Sequence, residues 1–564
     1  MVREVSADVA EDHKEISTHE LVQQLMGISA KKRLETLLAR ADAQAVVAAF
    51  PVQDFFYFVK EIGPDDSGPL LALARVEQLL HLFDIEWWNK DQLQPAKALQ
   101  WLERLDSVSG ESLLRWLYEA DFELLVALFK KWVHVMVAPE DIDPLEAREE
   151  LPKHTVDDRY FWETQYLQFE DFLSRLLNLI FEVHPGFFGE LMNHILWASG
   201  PQIEEDAFRF HCARIEDQAI PGFYDALDIY STIARDEIGH DKETVAMMPA
   251  STSAPSFPLV SLPRSDLLHA ALKKIHDARE TDIVQLELAS LANKVIVADE
   301  LPLDEPDTLR QAMAKVSAYV NLGLDIMARG SLDHAARIVR SVFLEHLFRL
   351  AHTRVMRLRG RLKQLTQQGW LSQWPMGLNC LDTEWLESAE LLLLKTPKLL
   401  RPASGSGSAS FEDFFRDRRD LNRAKLLVGV ISAVGRLAGH LSVKPEELSW
   451  RLWQHGQIRH LGDVTLGVMV WTAAANFQIN RRWEVEPMGL NGWLEVFSRL
   501  DPRTMVESIR TWVEGIVQEE SQRSLVADYL DPLLQDYVQE MASFSSENPP
   551  DHRLIRFFIF EEGE

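Results

Sequence analysis

Two residues, Glu237 and His240, have the type and spacing of metal ligands. They stand three positions apart, so a helix would place the carboxylate and the imidazole on one face. Helical di-iron centres use this spacing, but they need two such pairs and two further glutamates. None of the other histidines among the eighteen has a glutamate three residues before it. Glu237 and His240 are therefore candidate metal ligands, and the alternative is a charged helix end that precedes a loop.

A second combination of metal-binding residue types is His211 and Cys212, which follow Glu204 by about two helical turns. Imidazole, thiolate and carboxylate all bind transition metals. Adjacent side chains on a helix point about 100° apart, so His211 and Cys212 would not easily share one ion or form a catalytic pair. The favoured interpretation is a buried cysteine beside a surface histidine.

Local fingerprints of catalysis are absent from the sequence. There is no GxxxxGK[ST] phosphate loop, no GxGxxG after a strand, no GxSxG and no HExxH. A non-catalytic role is favoured, although an active site assembled from distant helices would leave no such spacing.

Aromatic residues form another candidate site. Trp87, Trp88, Trp101 and Trp116 lie close together in the sequence and could line a groove for a peptide or an apolar ligand. The favoured interpretation is that these side chains fill the space between packed helices.

An internal repeat predicts the elements that position these residues. Residues 34–50 and 113–129 align without a gap and share seven identities, among them Ala-Asp at the centre. Each copy predicts a short helix, a tight corner and a second helix, with the carboxylate of Asp42 or Asp121 capping the second helix. Because one such pair cannot bury both apolar faces, the pairs should stack as an α-solenoid-like array.

Strand signals are weak along the chain, so the predicted fold class is all-α with additional helical domains. The predicted organisation is a disordered tail at 1–18, a helical-repeat module at 19–138, an acidic proline-rich connector at 139–156, a central helical domain at 157–400 with a long loop at 246–264, a flexible linker at 401–410, a C-terminal helical domain at 411–541 and a tail at 542–564.

Composition excludes several classes of protein. The 564 residues are 46% apolar and 26% charged, which is typical of a folded globular chain. The formal charge of −29 disfavours nucleic acid as a partner, although basic residues between Arg349 and Lys363 could form a local exception. Two distant cysteines and a polar N-terminus favour the cytoplasm. The apolar segments 426–441 and 464–479 are too short for membrane spans, so no span is predicted.

Two resemblances follow from these patterns. The stretches LLARADAQAVVAAF and RLDSVSGESLLRWLYEAD resemble the helical cytoplasmic N domain of MgtE-type magnesium transporters, over about residues 20–137. This resemblance implies a superhelix of short helices and does not imply transport. Residues 214–230 and 321–349 make the chain similar to an uncharacterised bacterial family of large all-helical proteins, the domain-of-unknown-function family 6178. That resemblance implies a bacterial, cytoplasmic, helical protein and no particular activity.

The leading functional hypothesis is a non-catalytic scaffold or adaptor whose concave aromatic face binds another protein. One alternative is a regulatory module whose acidic faces bind a divalent cation such as Mg²⁺. Another is a helical enzyme of unrecognised type. The sequence does not determine the partner, the pathway or the oligomeric state.

Overall fold

The computed structural model describes residues 18–139, 151–239, 242, 254–402, 410–441, 443–452, 457–499, 501–542, 544 and 549–561. The chain divides into two compact units, which we call unit 1 and unit 2. Unit 1 comprises residues 1–231, 236–317 and 330–346, and unit 2 comprises residues 232–235, 318–329 and 347–564.

Helices dominate the part of the chain that the structure describes. Those of the first half are α1 (Thr18–Met26), α2 (Ala30–Leu38), α3 (Ala43–Ala49), α4 (Val52–Ile62), α5 (Gly68–Ala72), α6 (Val76–Trp87), α7 (Pro95–Val108), α8 (Gly110–Glu119), α9 (Phe122–Trp132), α10 (Glu170–Val183), α11 (Pro185–Trp197), α12 (Gly200–Asp217), α13 (Phe223–Leu227), α14 (Phe257–Val260), α15 (Leu267–Leu272) and α16 (Ala278–Ala298). Those of the second half are α17 (Pro306–Ala328), α18 (Leu332–Ser341), α19 (Leu344–Gln368), α20 (Thr383–Leu393), α21 (Arg418–His440), α22 (Pro445–Arg451), α23 (Leu466–Asn480), α24 (Leu490–Arg499), α25 (Pro502–Ile516) and α26 (Glu520–Met541).

The strands among the described residues form three small antiparallel sheets. Their strands are β1 (Trp88–Asn89) with β2 (Gln92–Leu93), then β3 (Val133–Val137), β4 (His154–Thr155) and β5 (Tyr160–Thr164), and finally β6 (Leu399–Arg401) with β7 (Phe411–Asp413). In the three-stranded sheet β5 is central, and Val135 lies opposite Trp162. The predicted all-α fold class is confirmed, and the stacking of helical pairs as a solenoid stays a prediction.

Both copies of the repeat fold as a helix, a corner and a helix. Residues 34–50 run from α2 into α3, and residues 113–129 run from α8 into α9. The equivalent side chains Phe50 and Phe129 are both fully buried. The first helices differ, because Leu38 is 44% exposed whereas its counterpart Leu117 is buried. The two copies therefore share their local shape and the burial of the second helix.

The predicted caps at the Ala-Asp corners are wrong. Neither Asp42 nor Asp121 accepts a hydrogen bond from the backbone of the helix that follows. The carboxylate of Asp42 accepts bonds of 2.7 and 2.8 Å from Arg40, and that of Asp121 accepts one from Arg214. A guanidinium carries a full positive charge, which a backbone N–H group lacks, so each arginine takes the carboxylate.

Two predicted connections contain regular structure at their described ends. In the predicted loop 246–264, residues 246–253 lie outside the described residues and Phe257–Val260 forms one helical turn. In the predicted linker 401–410, residues 403–409 lie outside them as well. The flanking strands β6 and β7 pair with each other, and Arg401 lies opposite Phe411.

Among the described residues, no helix is both long enough and apolar enough to cross a lipid bilayer. The two apolar segments noted above fall in α21 and α23. In α21, the absence of a side chain at Gly435 leaves room for the ring of Trp370. Nε1 of Trp370 donates to the backbone carbonyl oxygen of Ile431 at 2.8 Å. Gly439, one turn later, has no atom near its missing side chain.

Two helices of unit 2 approach each other closely at Gly323. A Cβ atom built on this residue of α17 would lie 2.1 Å from the backbone carbonyl oxygen of Leu347 in α19. Backbone atoms cannot move aside as a flexible side chain can. Only glycine therefore fits at this crossing.

We expect Gly323→Ala to destabilise unit 2 by about 2 kcal/mol or more, because the added methyl group must push two buried helices apart. Gly360→Ala is the matched control, since Gly360 is an exposed helical glycine with nothing within 4 Å of a built Cβ. That control should stabilise by about 0.5 to 1 kcal/mol, because alanine favours the helix. Thermal unfolding followed by circular dichroism measures both changes. Equal midpoints for the two variants would contradict the packing constraint.

Candidate functional site

The candidate metal ligands from the sequence are not assembled into a site that the structure describes. Glu237 is exposed in a 3-10 turn, Arg235–Glu237, and His240 lies outside the described residues. Within the described part of the chain, no three histidine, cysteine or acidic side chains are grouped so that they could hold a metal ion. The pairing of Glu237 with His240 stays a prediction, as does Mg²⁺ binding.

The predicted burial of His211 and Cys212 is reversed. His211 is 5% exposed and its ring stacks on Trp88 with a centroid distance of 4.9 Å, whereas Cys212 is half-buried. The ring nitrogen Nδ1 of His211 lies 3.3 Å from the carboxylate of Asp84. Glu204 pairs instead with Lys131 at 3.0 Å. The carboxylate of Asp84 and the ring of Trp88 together stabilise His211 in its buried position.

Asp84 is the centre of an ion cluster in unit 1. Its carboxylate accepts two bonds from Arg214, at 2.7 and 2.8 Å, and Arg214 also reaches Asp121. Burial raises the pKa of Asp84, but the bonds from Arg214 and His211 outweigh burial and hold that pKa below its usual value. Arg214 bridges the two carboxylates, so the cluster joins α6 and α12 to the residue that precedes α9.

The four tryptophans pack between helices, as the favoured interpretation predicts, and they do not line a groove. Trp87 and Trp116 have no exposed surface, Trp101 is 3% exposed, and Trp88 is also buried. The ring of Phe83 stacks on Trp87 at 4.3 Å between centroids, and Trp116 meets Trp87 edge-on at 5.2 Å. These side chains fill the space between helices and offer no surface to a partner.

A cavity of about 850 Å³ in unit 1 is the candidate functional site. Ligand cavities in proteins typically span roughly 300 to 1,000 Å³. Four parts of the chain, far apart in sequence, form most of its lining: the corner between α3 and α4 at residues 48–53, the end of α12 at 217–219, one face of α16 at 283–291, and the start of α19 at 343–346. Pro255, Arg75 and Lys242 complete it.

Most of the cavity lining is apolar. Its apolar residues include Val52, Ile283, Leu286, Phe343 and Leu344, together with several alanines and prolines. An apolar wall with few polar groups is typical of a site for an organic molecule.

Asp54 holds one wall of the cavity in place. Its carboxylate, fully buried in α4, accepts bonds from the backbone N–H groups of Ser256 at 2.7 Å and Phe257 at 3.1 Å. These bonds fix Pro255 next to Gln53, and both residues line the cavity. Burial raises the pKa of Asp54 to about 6, although the two N–H groups act in the opposite direction.

Lys242 and Glu287 form a buried ion pair in the cavity wall. Nζ of Lys242 donates to Oε2 of Glu287 at 2.8 Å and to the carbonyl oxygen of Val339 at 2.9 Å. Burial raises the pKa of Glu287, and the charge of Lys242 acts against this shift. The other oxygen, Oε1, is buried and has no hydrogen-bond donor among the described residues.

Gln53 supplies a second buried polar group. Its Nε2 donates to the carbonyl oxygen of Gln218 at 2.6 Å. The amide oxygen Oε1 is buried and, like that of Glu287, finds no donor in the described part of the chain. The cavity is therefore lined by two residues that each retain a buried acceptor oxygen.

Charged residues at the rim are more exposed. Arg75 and Asp217, which carry opposite charges, both line the cavity. Glu345 also lines it and pairs with Lys294 at 2.7 Å. None of the described lining residues is a serine or cysteine nucleophile bonded to a base. The arrangement is suited to binding.

Sequence reasoning missed this cavity. The available signal was the pair Gln53 and Asp54, two polar residues inside the apolar run of 52–59. Glu287 stands in a similar position on the apolar face of α16. Polar residues inside a buried run require partners, so such positions indicate either a buried network or a ligand.

Comparison with known proteins gives one match. The model of a family of unknown function, DUF6178, matches residues 10–561. The chain belongs to this family. No curated protein and no solved structure was found to match it. Membership of DUF6178 assigns the chain to a family but implies no particular activity.

Asp54→Asn tests the burial of this carboxylate. Because the pKa of Asp54 in the folded protein, about 6, lies above the ordinary value of 3.8 for an aspartate, binding of the proton stabilises the folded state. This contribution is complete below about pH 4 and is lost as pH rises through 6. It amounts to about 3 kcal/mol. The stability of the wild type relative to Asp54→Asn should therefore fall by that amount between pH 4 and pH 7.

Urea unfolding at several pH values measures this difference. Asp42→Asn is the control, because Asp42 is exposed and its pKa is lowered by the hydrogen bond to Arg40. The lowered pKa of Asp42 makes its contribution to stability opposite in sign to that of Asp54, and this contribution changes only at more acidic pH. The free energy of unfolding of Asp42→Asn should therefore vary with pH in parallel with that of the wild type between pH 5 and pH 7. A parallel curve for Asp54→Asn would contradict the assignment.

Proposed function

We propose that this member of DUF6178 is a binding protein that holds one small, partly apolar organic molecule in the cavity of unit 1. The observation that carries the proposal is the cavity itself, about 850 Å³ in volume and walled by apolar side chains around a few buried polar groups. Burial of an apolar molecule against such a wall supplies the binding free energy, and the polar groups orient it.

Two features support binding as the function rather than catalysis. The buried polar residues, Lys242, Glu287 and Gln53, are engaged in fixed hydrogen bonds that hold the wall. No described lining residue combines a nucleophile with an adjacent general base, which acyl or group transfer would require.

The scaffold or adaptor role inferred from the sequence is kept as a second proposal. The tryptophans first assigned to it are buried, but Trp197 is 78% exposed and Tyr224 is 84% exposed in unit 1. Large exposed aromatic side chains are enriched where proteins meet. A protein that co-purifies in stoichiometric amount from native cells, and is lost with Trp197→Ala or Tyr224→Ala, would support this role. Retention of that protein by both variants would remove these residues as the contact.

The ligand-binding proposal is tested with N-phenyl-1-naphthylamine, a neutral apolar dye whose fluorescence rises in apolar sites. The purified full chain should bind one dye molecule saturably. Ala48→Phe places a phenyl ring on a half-buried lining residue of α3, and it should weaken binding by about tenfold or more, the equivalent of at least 1.4 kcal/mol.

Ala45→Phe is the matched control, because Ala45 is an exposed residue of the same helix and does not line the cavity. It should bind the dye as the wild type does. Circular dichroism checks that both variants are folded. Absence of saturable dye binding, or equal affinities for the two variants, would overturn the proposed function.

A further inference from the structure

We propose that one face of helix α19 in unit 2 binds the phosphodiester backbone of a nucleic acid. The proposal goes beyond the ligand cavity, which lies in unit 1, and does not depend on it. It rests on where the charges of the chain lie and on which arginines have no acidic partner.

The excess of acidic residues lies almost entirely in unit 1. The residues of unit 1 include 58 acidic and 30 basic side chains, whereas those of unit 2 include 29 acidic and 28 basic ones. The formal charge of −29, which disfavours nucleic acid for the chain as a whole, is therefore a property of unit 1. In about 0.1 M salt, exposed charges more than about 10 Å apart are largely screened, so a phosphate in contact with unit 2 responds mainly to the charges beside it.

Helix α19 is the most basic helix of unit 2. It contains one acidic residue, Glu345, which lies in its first turn and pairs with Lys294. Its six basic residues are Arg349, Arg354, Arg357, Arg359, Arg361 and Lys363. The helix therefore carries a strong local excess of positive charge within a unit that is nearly neutral.

Three of these arginines lie on one stripe of the helix. Arg354, Arg357 and Arg361 are separated by three and four residues, which is the spacing of a single helix face. Arg357 and Arg361 are exposed, and Arg354 is half-buried. None of the three side chains forms an ion pair or a hydrogen bond with another described residue. The stripe continues with Gln364 and Gln368, both exposed.

The end of α20 extends this basic surface. Nε of Arg359 donates to the backbone carbonyl oxygen of Leu393 at 3.1 Å, so the end of α20 lies against α19. Lys395, two residues later, is exposed and has no ion pair within the described part of the chain. Glu390, one turn before Leu393, forms no ion pair with α19 either. A fourth uncompensated cation therefore lies near the stripe.

This surface suits a phosphodiester better than an acidic protein or a membrane. A guanidinium binds phosphate through two parallel hydrogen bonds, and glutamine side chains also donate to phosphate and sugar oxygens. Protein interfaces depend on apolar and aromatic anchors, and a helix that lies on a membrane inserts an apolar face. Helix α19 has no exposed large apolar side chain, since its leucines, such as Leu358 and Leu362, are buried. Charge and hydrogen bonds alone are sufficient for nucleic acid.

Fluorescence anisotropy of fluorescein-labelled oligonucleotides tests the proposal. The full chain is titrated into single-stranded DNA, duplex DNA and single-stranded RNA, each about 20 nucleotides or base pairs long, in about 50 mM salt. We expect at least one of them to bind with a dissociation constant of about 100 μM or below. Three phosphate contacts should make log K fall against log salt concentration with a slope of about −2 to −3. The tightest of the three probes identifies the form of nucleic acid.

Two variants that each remove one positive charge assign the binding to the stripe. Arg357→Gln should reduce the magnitude of the salt slope by about one, because one phosphate contact is lost. Arg503→Gln is the matched control, since Arg503 is an exposed arginine of α25 that also lacks an ion pair among the described residues, and it should leave the slope unchanged. Combining Arg357→Gln with Arg361→Gln should weaken binding by about tenfold or more in about 50 mM salt. Circular dichroism checks that the variants are folded.

Binding of the cavity dye should be the same in all these variants, so this proposal and the proposed function fail independently. Absence of oligonucleotide binding in low salt, or equal salt slopes for Arg357→Gln and Arg503→Gln, would overturn the proposal. Poly-L-glutamate and vesicles of phosphatidylcholine with phosphatidylserine are compared as competitors at equal concentration of charge. Displacement of the labelled probe by either competitor as effectively as by unlabelled oligonucleotide would assign the face to an acidic protein or a membrane and would also overturn it.

Discussion

The buried carboxylate of Asp54 ties two distant parts of unit 1 together. It accepts the N–H groups of Ser256 and Phe257, residues more than two hundred positions later in the chain. Two charge-assisted bonds offset part of the cost of burying the carboxylate, and the raised pKa of Asp54 shows that the remaining cost is substantial. This contact places Pro255 beside the corner of α3 and α4, and the cavity depends on that placement.

Hydrogen bonds of buried polar side chains also hold the wall of the cavity. Backbone groups at the end of α12, at the start of α19 and at Val339 in α18 find their partners in Gln53, Glu287 and Lys242, respectively. At Asp84 a comparable need is met by Arg214 and His211, which converge on one carboxylate.

Local features of the fold were predictable from the sequence, and contacts between distant segments were not. The repeat at 34–50 and 113–129 gave the helices and their corners, because apolar spacing is a local property. The partner of Asp121 was not predictable, since Arg214 is 93 residues away. The burial of His211 depends likewise on Asp84 and Trp88 in another helix. The cavity was missed for this reason: its walls come from segments that no local pattern connects.

The hairpin of β6 and β7 in unit 2 has a consequence for the variation that this family can tolerate. Leu399–Arg401 pairs with Phe411–Asp413, and Arg401 also bridges Asp413 at 2.7 Å and Asp420 at 2.6 Å. The two strands therefore hold residues 401 and 411 next to each other. Length changes between the strands need not displace either strand, because closing a longer loop costs little extra entropy. An affinity handle or a fluorescent reporter inserted between residues 402 and 410 would therefore leave the pairing of β6 with β7 intact.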